Sequence, residues 1–191
     1  MELTGIILLA VLAVAVVYAI MIYNQLVQVK HNVSKAWANI DVLLKQRHDE
    51  LPKLVETCKQ YMKFEQDTLV RVMEARSHVS TAREQQNIGA LGQAEGELRG
   101  ALGKLFALAE AYPELKTDET FKHLQSRISS LENGIADRRE FYNESVNINN
   151  VRIEQFPDSV VAALFSFRPM QLLRFSEQET ADVNMGQLFQ A

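Results

Sequence analysis

The chain has 191 residues, 47% of them hydrophobic and 23% charged, and its 20 Lys and Arg against 24 Asp and Glu give a net charge of −4. This composition is too apolar for a disordered chain. Its acidic balance argues against a general nucleic-acid binder, which needs a basic face. A single cysteine excludes an intramolecular disulfide framework and a cysteine-based zinc site.

The N-terminal part of the chain is almost free of charge. Glu2 is the only charged side chain before Lys30, and residues 5–23 read GIILLAVLAVAVVYAIMIY. At about 1.5 Å per residue this segment spans the roughly 30 Å hydrocarbon layer of a bilayer. The sequence therefore predicts a single transmembrane helix at 5–23, preceded by a short tail at 1–4. The alternative is a cleaved secretory signal, which would begin with basic residues and contain a small-residue cleavage site.

Aromatic and basic residues indicate how this helix is oriented. Tyr18 and Tyr23 lie towards its downstream end, where aromatic side chains suit the membrane interface. No basic residue precedes the span, whereas several follow it closely: Lys30, Lys35, Lys45 and Arg47. The positive-inside bias predicts that the N-terminus lies outside and the C-terminal part in the cytoplasm.

The pattern beyond the span is helical throughout. Leu26, Val33 and Ile40 are seven residues apart, which is typical of a coiled-coil seam. Helix breaks are predicted at Pro52, at Asn87-Ile88-Gly89 and at Pro113, and Thr117 is the expected cap of the last long helix. We therefore expect an all-α chain in which the transmembrane helix continues into an antiparallel four-helix bundle over residues 24–156.

A short apolar helical segment at 157–175 follows the bundle, and residues 176–191 are expected to form a loosely ordered tail. The apolar segment has two open interpretations. It either packs as a lid on its own bundle, or forms an amphipathic element at the membrane or a partner, with Arg168 and Arg174 at its polar edge.

Glycines are concentrated in the third predicted helix, about 90–112. Gly92, Gly96 and Gly100 are four residues apart, which lines up small residues where a second backbone could approach closely. They are candidates for self-association, and close packing within the chain is the alternative.

Polar residues interrupt the apolar seams at several positions. Buried polar groups need partners and can fix the register of a bundle, so we expect a structural network and not a ligand site. The candidate members are Asp41, Arg47, Glu65, Arg76, Arg138 and Asn143. A small-ligand or enzymatic site around Asp41, Arg76 and Arg138 is the alternative.

The sequence contains no H-E-x-x-H zinc motif, no phosphate-binding glycine loop and no G-x-S-x-G nucleophile elbow. We therefore predict no catalytic residues, no metal ligands and no cofactor. His48-Asp49-Glu50 is better explained as a charged helix end than as a metal cluster, and Cys58 as a buried packing residue.

An ordered series of short motifs resembles the LemA family over nearly the whole chain. The early part of the series includes Tyr23-Asn24-Gln25-Leu26, Ala36-Trp37, Ile40-Asp41-Val42, Leu51-Pro52 and Ala75-Arg76. The later part includes Tyr112-Pro113-Glu114-Leu115-Lys116, Leu131-Glu132-Asn133, Arg138-Arg139, Tyr142-Asn143 and Phe156-Pro157. The chain departs from the family pattern at Ile148-Asn149, where a second Tyr-Asn pair is usual, and at Ser166-Phe167, where Gly-Phe is usual.

The resemblance implies a bacterial, single-pass inner-membrane protein with a cytoplasmic helical bundle and no enzymatic activity. Together with the residues above, it suggests a scaffold or assembly protein that acts in membrane organisation or remodelling. The expected partners are membrane lipid and further copies of the chain, and no nucleic acid. The alternative, which rests on the resemblance alone, is an adaptor or regulator of a membrane metalloprotease in envelope stress.

Overall fold

The computed structural model describes residues 2–175, and this part of the chain is helical without a β-strand. The helices are α1 Glu2–Tyr61, α2 Gln66–Glu84, α3 Ile88–Ala109, α4 Pro113–Thr117, α5 Glu119–Glu154 and α6 Asp158–Leu164. The predicted all-α class and the long apolar N-terminal helix are confirmed. The tail predicted at 176–191 lies outside the described residues.

The first helix is longer than predicted, because it continues through Pro52 to Tyr61. The break predicted at Pro52 is therefore wrong. A proline inside a helix costs about 3 kcal/mol. The apolar seam continues across it, however, with Leu51, Leu54 and Cys58 all fully buried, and burial of such side chains contributes roughly 1.5–3 kcal/mol each. Side-chain burial on both sides of the proline outweighs its local penalty.

The N-terminal part of α1 is the one helical stretch in residues 2–175 that is long and apolar enough to cross a membrane. Its most apolar 18-residue window has a mean hydropathy of 3.0 and is only 6% buried. All residues from 3 to 21 are exposed. A core helix of a soluble protein would be mostly buried, so this surface indicates a membrane location.

Local capping explains where the later helices begin. Asn87 caps α3, since its side-chain oxygen accepts the backbone N–H of Ala90 at 3.0 Å, and the break predicted here is confirmed. The cap of α5 is Asp118 and not Thr117, because Asp118 Oδ1 accepts the N–H of Phe121 at 2.8 Å. The Thr117 hydroxyl instead donates to carbonyl groups of α4, a short helix that the sequence analysis did not predict.

The chain divides into two compact units. The first consists of residues 2–41 together with Ala136–Leu172. Within it, Ile22 and Leu26 of α1 form an apolar cluster with Val161 and Ala162 of α6. Farther along, Trp37 contacts Tyr142 edge to face, with ring centroids 5.8 Å apart. The segment after Pro157 thus packs on α1, as the lid interpretation expects.

The second unit consists of Val42–Ile135 and, among the described residues, 173–175. Its interior is dominated by leucines that are almost inaccessible to solvent: Leu44, Leu51, Leu54, Leu69, Leu91, Leu98, Leu105 and Leu115. Helices α2 and α3 pack against each other in this unit. The antiparallel four-helix arrangement over 24–156, and the predicted domain limits at 23 and 156, stay predictions.

Candidate functional site

The most deeply buried charge lies in the second unit. We call Arg47, Glu95, Glu132 and Arg99 the ion cluster. The Arg47 guanidinium donates from Nη2 to Glu95 and from Nη1 to Glu132, so that α1 is joined to α3 and α5. Arg47 and Glu95 are only 1% and 2% exposed, and Arg99 Nε lies 3.6 Å from Glu132 Oε2 at the more open side. Two positive and two negative groups therefore balance one another.

The charge state of the ion cluster follows from its burial. Burial lowers the pKa of Arg47, but the neighbouring Glu95 and Glu132 more than offset this effect, so its pKa is raised and the guanidinium stays charged. Burial raises the pKa of Glu95, against the opposing attraction of Arg47. Because Arg47 and Glu95 are closed to solvent, the ion cluster can hold helices together but offers no open site to a substrate.

The candidate members of the polar network belong to both units. Arg47, Glu65 and Arg76 belong to the second unit, whereas Asp41, Arg138 and Asn143 belong to the first. The ion partners of Arg47 are Glu95 and Glu132, neither of which the sequence analysis proposed as a network member. Arg76 contacts His48, Glu65 is half-buried just before α2, and Arg138 is exposed.

The sequence contains a pattern that marks Glu95 as a buried charge. Glu95 lies four residues after Leu91 and three before Leu98, on the apolar face of α3. A carboxylate on such a face needs a buried cation. Arg47 occupies the matching position in α1, between the buried Leu44 and Leu51. The seam pattern therefore marks Arg47 and Glu95 as charges that need buried partners, but it does not state which charges pair.

His48 and Arg76 form a second polar contact in the same unit. Arg76 Nε donates to the His48 carbonyl oxygen at 2.9 Å, and its Nη2 lies 2.6 Å from His48 Nε2. A guanidinium can only donate, so Nε2 must accept and the imidazole must be neutral. Burial and the Arg76 charge accordingly lower the pKa of His48 from its ordinary value of 6.5.

This geometry predicts acid sensitivity of the fold. Above pH 6.5 the imidazole is neutral in the folded and the unfolded chain, and the stability is fully present. As the pH falls below 6.5 the unfolded chain binds a proton that the folded chain resists, so stability is lost by at most about 1.4 kcal/mol per pH unit until the folded pKa is reached. Denaturant unfolding of the full chain at several pH values measures this slope.

The matched variants for this prediction are His48→Gln and His123→Gln. His48→Gln is expected to flatten the slope below pH 6.5, because the group that titrates differently is gone. His123 is exposed on α5, and its replacement should leave the slope as in the parent chain. An unchanged slope in His48→Gln would contradict the assignment.

The three candidate glycines differ in what surrounds them. A Cβ at Gly92 would lie 1.9 Å from the carbonyl oxygen of Arg174, so the chain itself covers this position. Gly96 is half-buried, and a Cβ at Gly100 would meet no atom within 4 Å. Two residues four apart are offset by about 40° around a helix axis. The glycine stripe therefore turns from the covered face at Gly92 to the open face at Gly100. Close packing within the chain accounts for Gly92.

The two interface tyrosines also differ. Tyr18 is 52% exposed on the apolar part of α1. The ring of Tyr23 lies 4.7 Å from that of Phe165 and 6.0 Å from that of Phe167, between centroids. Tyr23 therefore joins the end of the predicted span to the segment that follows α6.

Beside Tyr23 the first unit has an open pocket of about 580 Å³, which we call the juxtamembrane pocket. Its wall includes two cationic side chains, Lys30 from α1 and Arg168 from the segment after α6, together with His31, and all three are exposed. Phe165 and Phe167 provide an aromatic wall. Asn150 holds the far side in place, since its side chain donates to the Met170 carbonyl at 3.0 Å and accepts its N–H at 2.9 Å. Cations beside aromatic rings suit an anionic, amphipathic ligand.

The other residues that could take part in chemistry are buried in the core or held in ion pairs. Burial raises the pKa of the Cys58 thiol to about 12, so Cys58 is a packing residue, as predicted, and not a nucleophile. Within residues 2–175 no group of three or more His, Cys, Asp or Glu side chains is placed to hold a metal ion. The helix end predicted at His48-Asp49-Glu50 is wrong, because these residues lie inside α1, where Glu50 pairs with Lys53 and Arg127, each at 3.1 Å.

The known proteins that this chain resembles include magnetosome proteins and a protein named LemA. It is 24% identical to magnetosome protein MamQ 2 of Paramagnetospirillum magneticum over 90% of the chain and 71% of that relative. The same shares and identity hold for magnetosome protein MamQ of Magnetospirillum gryphiswaldense. It is 26% identical to protein LemA of Metamycoplasma hominis, over 95% of the chain and 83% of that relative.

None of these names specifies an enzymatic activity. The LemA family model matches residues 36–186, which include most of α1 beyond the apolar segment and all later helices. This match extends over well more than half of the chain and agrees with the motif series from Ala36-Trp37 to Phe156-Pro157. The chain therefore belongs to the LemA family.

Proposed function

We propose that this LemA-family protein is a membrane-anchored helical scaffold, which organises or remodels a membrane by self-association or by holding a partner there. The observation that carries the proposal is the 60-residue α1, whose exposed apolar residues 3–21 continue without a break into a buried seam. Such a helix would hold the bundle directly at the bilayer surface. The basic residues after the span favour a cytoplasmic bundle in the bacterial inner membrane.

A structural role without catalysis fits the surroundings of the reactive residues. Arg47 and Glu95 are paired and closed to solvent, and the Cys58 thiol has a raised pKa. The antiparallel four-helix bundle is part of the proposal, with α1, α2, α3 and α5 as its long helices. Relatives named as magnetosome proteins support a role in assembly at a membrane.

The self-association half of the proposal is tested by the mass of the full-length chain in lipid nanodiscs. We expect species larger than one chain, and we expect Gly100→Leu to reduce them, because Gly100 lies in open space on the glycine stripe. Ser129→Leu adds similar bulk on the exposed face of α5 and serves as the control. A chain that is monomeric at every concentration would overturn self-association.

The partner-binding half is tested by crosslinking in native membranes, followed by purification of the full-length chain. Recovery of a second protein at constant stoichiometry is the expected result. If the chain is monomeric in nanodiscs and also crosslinks to no defined protein, a scaffold role is contradicted.

A further inference from the structure

Helix α6 carries apolar residues on two opposite sides. Val161 and Ala162 face inward and pack on Ile22 and Leu26 of α1. The outward residues Val160 and Leu164 are four apart and 60% and 77% exposed, and Phe156, in the turn just before α6, is 84% exposed. Adjacent to them, Phe165 is 55% exposed. A short helix with an apolar stripe left open on a protein surface indicates a further contact.

The position of α6 on α1 indicates what covers this stripe. Residues 3–21 are all exposed, and Ile22 is the first residue of α1 that the chain itself buries. The predicted span ends at Tyr23, and Leu26 lies only about 4.5 Å farther along the helix axis. The headgroup layer of a bilayer is roughly 5–8 Å thick on each side. Helix α6 therefore lies at interfacial depth, next to the apolar surface of the span.

The charges around α6 suit the same surface. The juxtamembrane pocket carries the cations Lys30 and Arg168. Lys30 lies roughly 10 Å beyond Tyr23 along α1, just outside the headgroup layer, and its long side chain can reach back to the lipid phosphates. The carboxylate of α6 does not oppose them: Asp158 is buried, and its Oδ2 lies 2.6 Å from Arg152 Nε. Arg152 also donates to Gln25 Oε1 at 2.6 Å, which fixes this polar side against α1.

We propose that α6 and the juxtamembrane pocket form a second contact with the bilayer. Phe156, Val160, Leu164 and Phe165 enter the interfacial layer, and Lys30 and Arg168 bind the phosphate of an anionic phospholipid. The inference rests on the proposed membrane location of α1. Phe165 contacts Tyr23 at the end of the span, with ring centroids 4.7 Å apart, and so connects the stripe to the exposed apolar surface of the span. This connection is why lipid, and not a second copy of the chain, is its occupant.

The test uses a fluorophore attached to single introduced cysteines in the full-length chain. The native Cys58 is buried with a pKa of about 12, so it will not compete for the label in the folded protein. Leu164→Cys is the reporter, Val17→Cys marks the span, and Val70→Cys on α2 is an exposed apolar control of the second unit. Nanodiscs contain one chain each, with lipids that carry a nitroxide quencher near the headgroup.

We expect the Leu164 label to emit at shorter wavelength than the Val70 label and to be quenched by the shallow nitroxide. If Val17 is immersed while Leu164 behaves like Val70, the inference about α6 is wrong and the anchor stands. If Val17 itself is in water, the proposed membrane location fails. A Leu164 label that leaves water only in discs with two chains, without nitroxide quenching, would assign the stripe to a second copy and overturn the proposal.

The phosphate contact is tested separately by changing lipid and side chains. Quenching at Leu164 is expected to be stronger in phosphatidylcholine discs containing phosphatidylglycerol than in phosphatidylcholine alone. The double variant Lys30→Gln, Arg168→Gln should remove that difference, because it removes both cations that are placed to contact the phosphate. If phosphatidylglycerol does not increase quenching in the parent chain, the phosphate contact is refuted. It is also refuted if the increase is the same in the double variant.

Discussion

Replacement of Arg47 by methionine is expected to lower the free energy of unfolding by about 3–5 kcal/mol, the cost of removing one partner of a buried ion pair. Methionine fills much of the space of the arginine stem, so the loss comes from charge and not from a cavity. Glu95, 2% exposed, would be left without the group that neutralises it. For a chain of this size the thermal midpoint should fall by roughly 6–20 °C. Circular dichroism of the full-length chain in detergent measures it.

An exposed arginine provides the matched control. Arg127 is 48% exposed and pairs with Glu50 at 3.1 Å, and an exposed pair of this kind contributes at most about 1 kcal/mol. Arg127→Met should therefore change the midpoint little. Equal effects of Arg47→Met and Arg127→Met would contradict the importance of the ion cluster.

A double variant separates the unpaired charge from the lost contacts. Arg47→Met combined with Glu95→Met removes both buried charges, while Glu132 keeps Arg99 at 3.6 Å. Because buried pairs can be replaced by apolar residues at little cost, the double variant should recover much of the stability lost in Arg47→Met. A double variant less stable than Arg47→Met would show that Glu95 has another role.

The ion cluster also explains which part of the site the sequence could predict. Arg47 was identifiable as a buried polar residue because it interrupts an apolar seam. Its partners are 48 and 85 residues away, and no local pattern states which carboxylate meets which cation. Such pairing is set by how α1, α3 and α5 pack, and packing is not local information.

The fold was predictable to a similar extent. Apolar periodicity correctly indicated a helical chain with a long apolar N-terminal helix, and Asn87 correctly marked a break. Pro52 was misleading, because the local rule against proline ignores the burial of Leu51 and Leu54 on either side. The apolar density of 160–175 left both a docked lid and an amphipathic element at the membrane or a partner open, and only the structure separates its inward Val161 from its outward Val160 and Leu164.

Gly92→Ala is expected to detach residues 173–175 from α3. The added Cβ would lie 1.9 Å from the Arg174 carbonyl oxygen, and a backbone atom cannot yield as a flexible side chain can. Leu173 and Phe175, 1% and 3% exposed, would lose their burial, which contributes roughly 1.5–3 kcal/mol for each such side chain. The contact of Arg99 with the Phe175 ring, at 5.5 Å, would go with them.

Limited trypsin digestion measures this detachment directly. Trypsin cleaves poorly before proline, so Arg168-Pro169 is protected by its sequence, and Arg174-Phe175 is the cleavable bond nearest to the docked residues. In the parent chain the backbone of Arg174 packs against Gly92, so trypsin should cleave the Arg174-Phe175 bond slowly. In Gly92→Ala the cleavage of this bond should be fast.

Gly100→Ala separates steric displacement from an effect of alanine on α3 itself. Nothing lies within 4 Å of a Cβ at this position, so the substitution should leave cleavage at Arg174 slow and stabilise α3 by up to about 1 kcal/mol through helix propensity. The two glycines are eight residues apart on one helix and differ chiefly in whether the chain covers them. If cleavage is slow in both variants, the segment accommodates the methyl group and the close approach at Gly92 is not needed for docking. If it is fast in both, alanine acts through α3, and Gly92 has no special role.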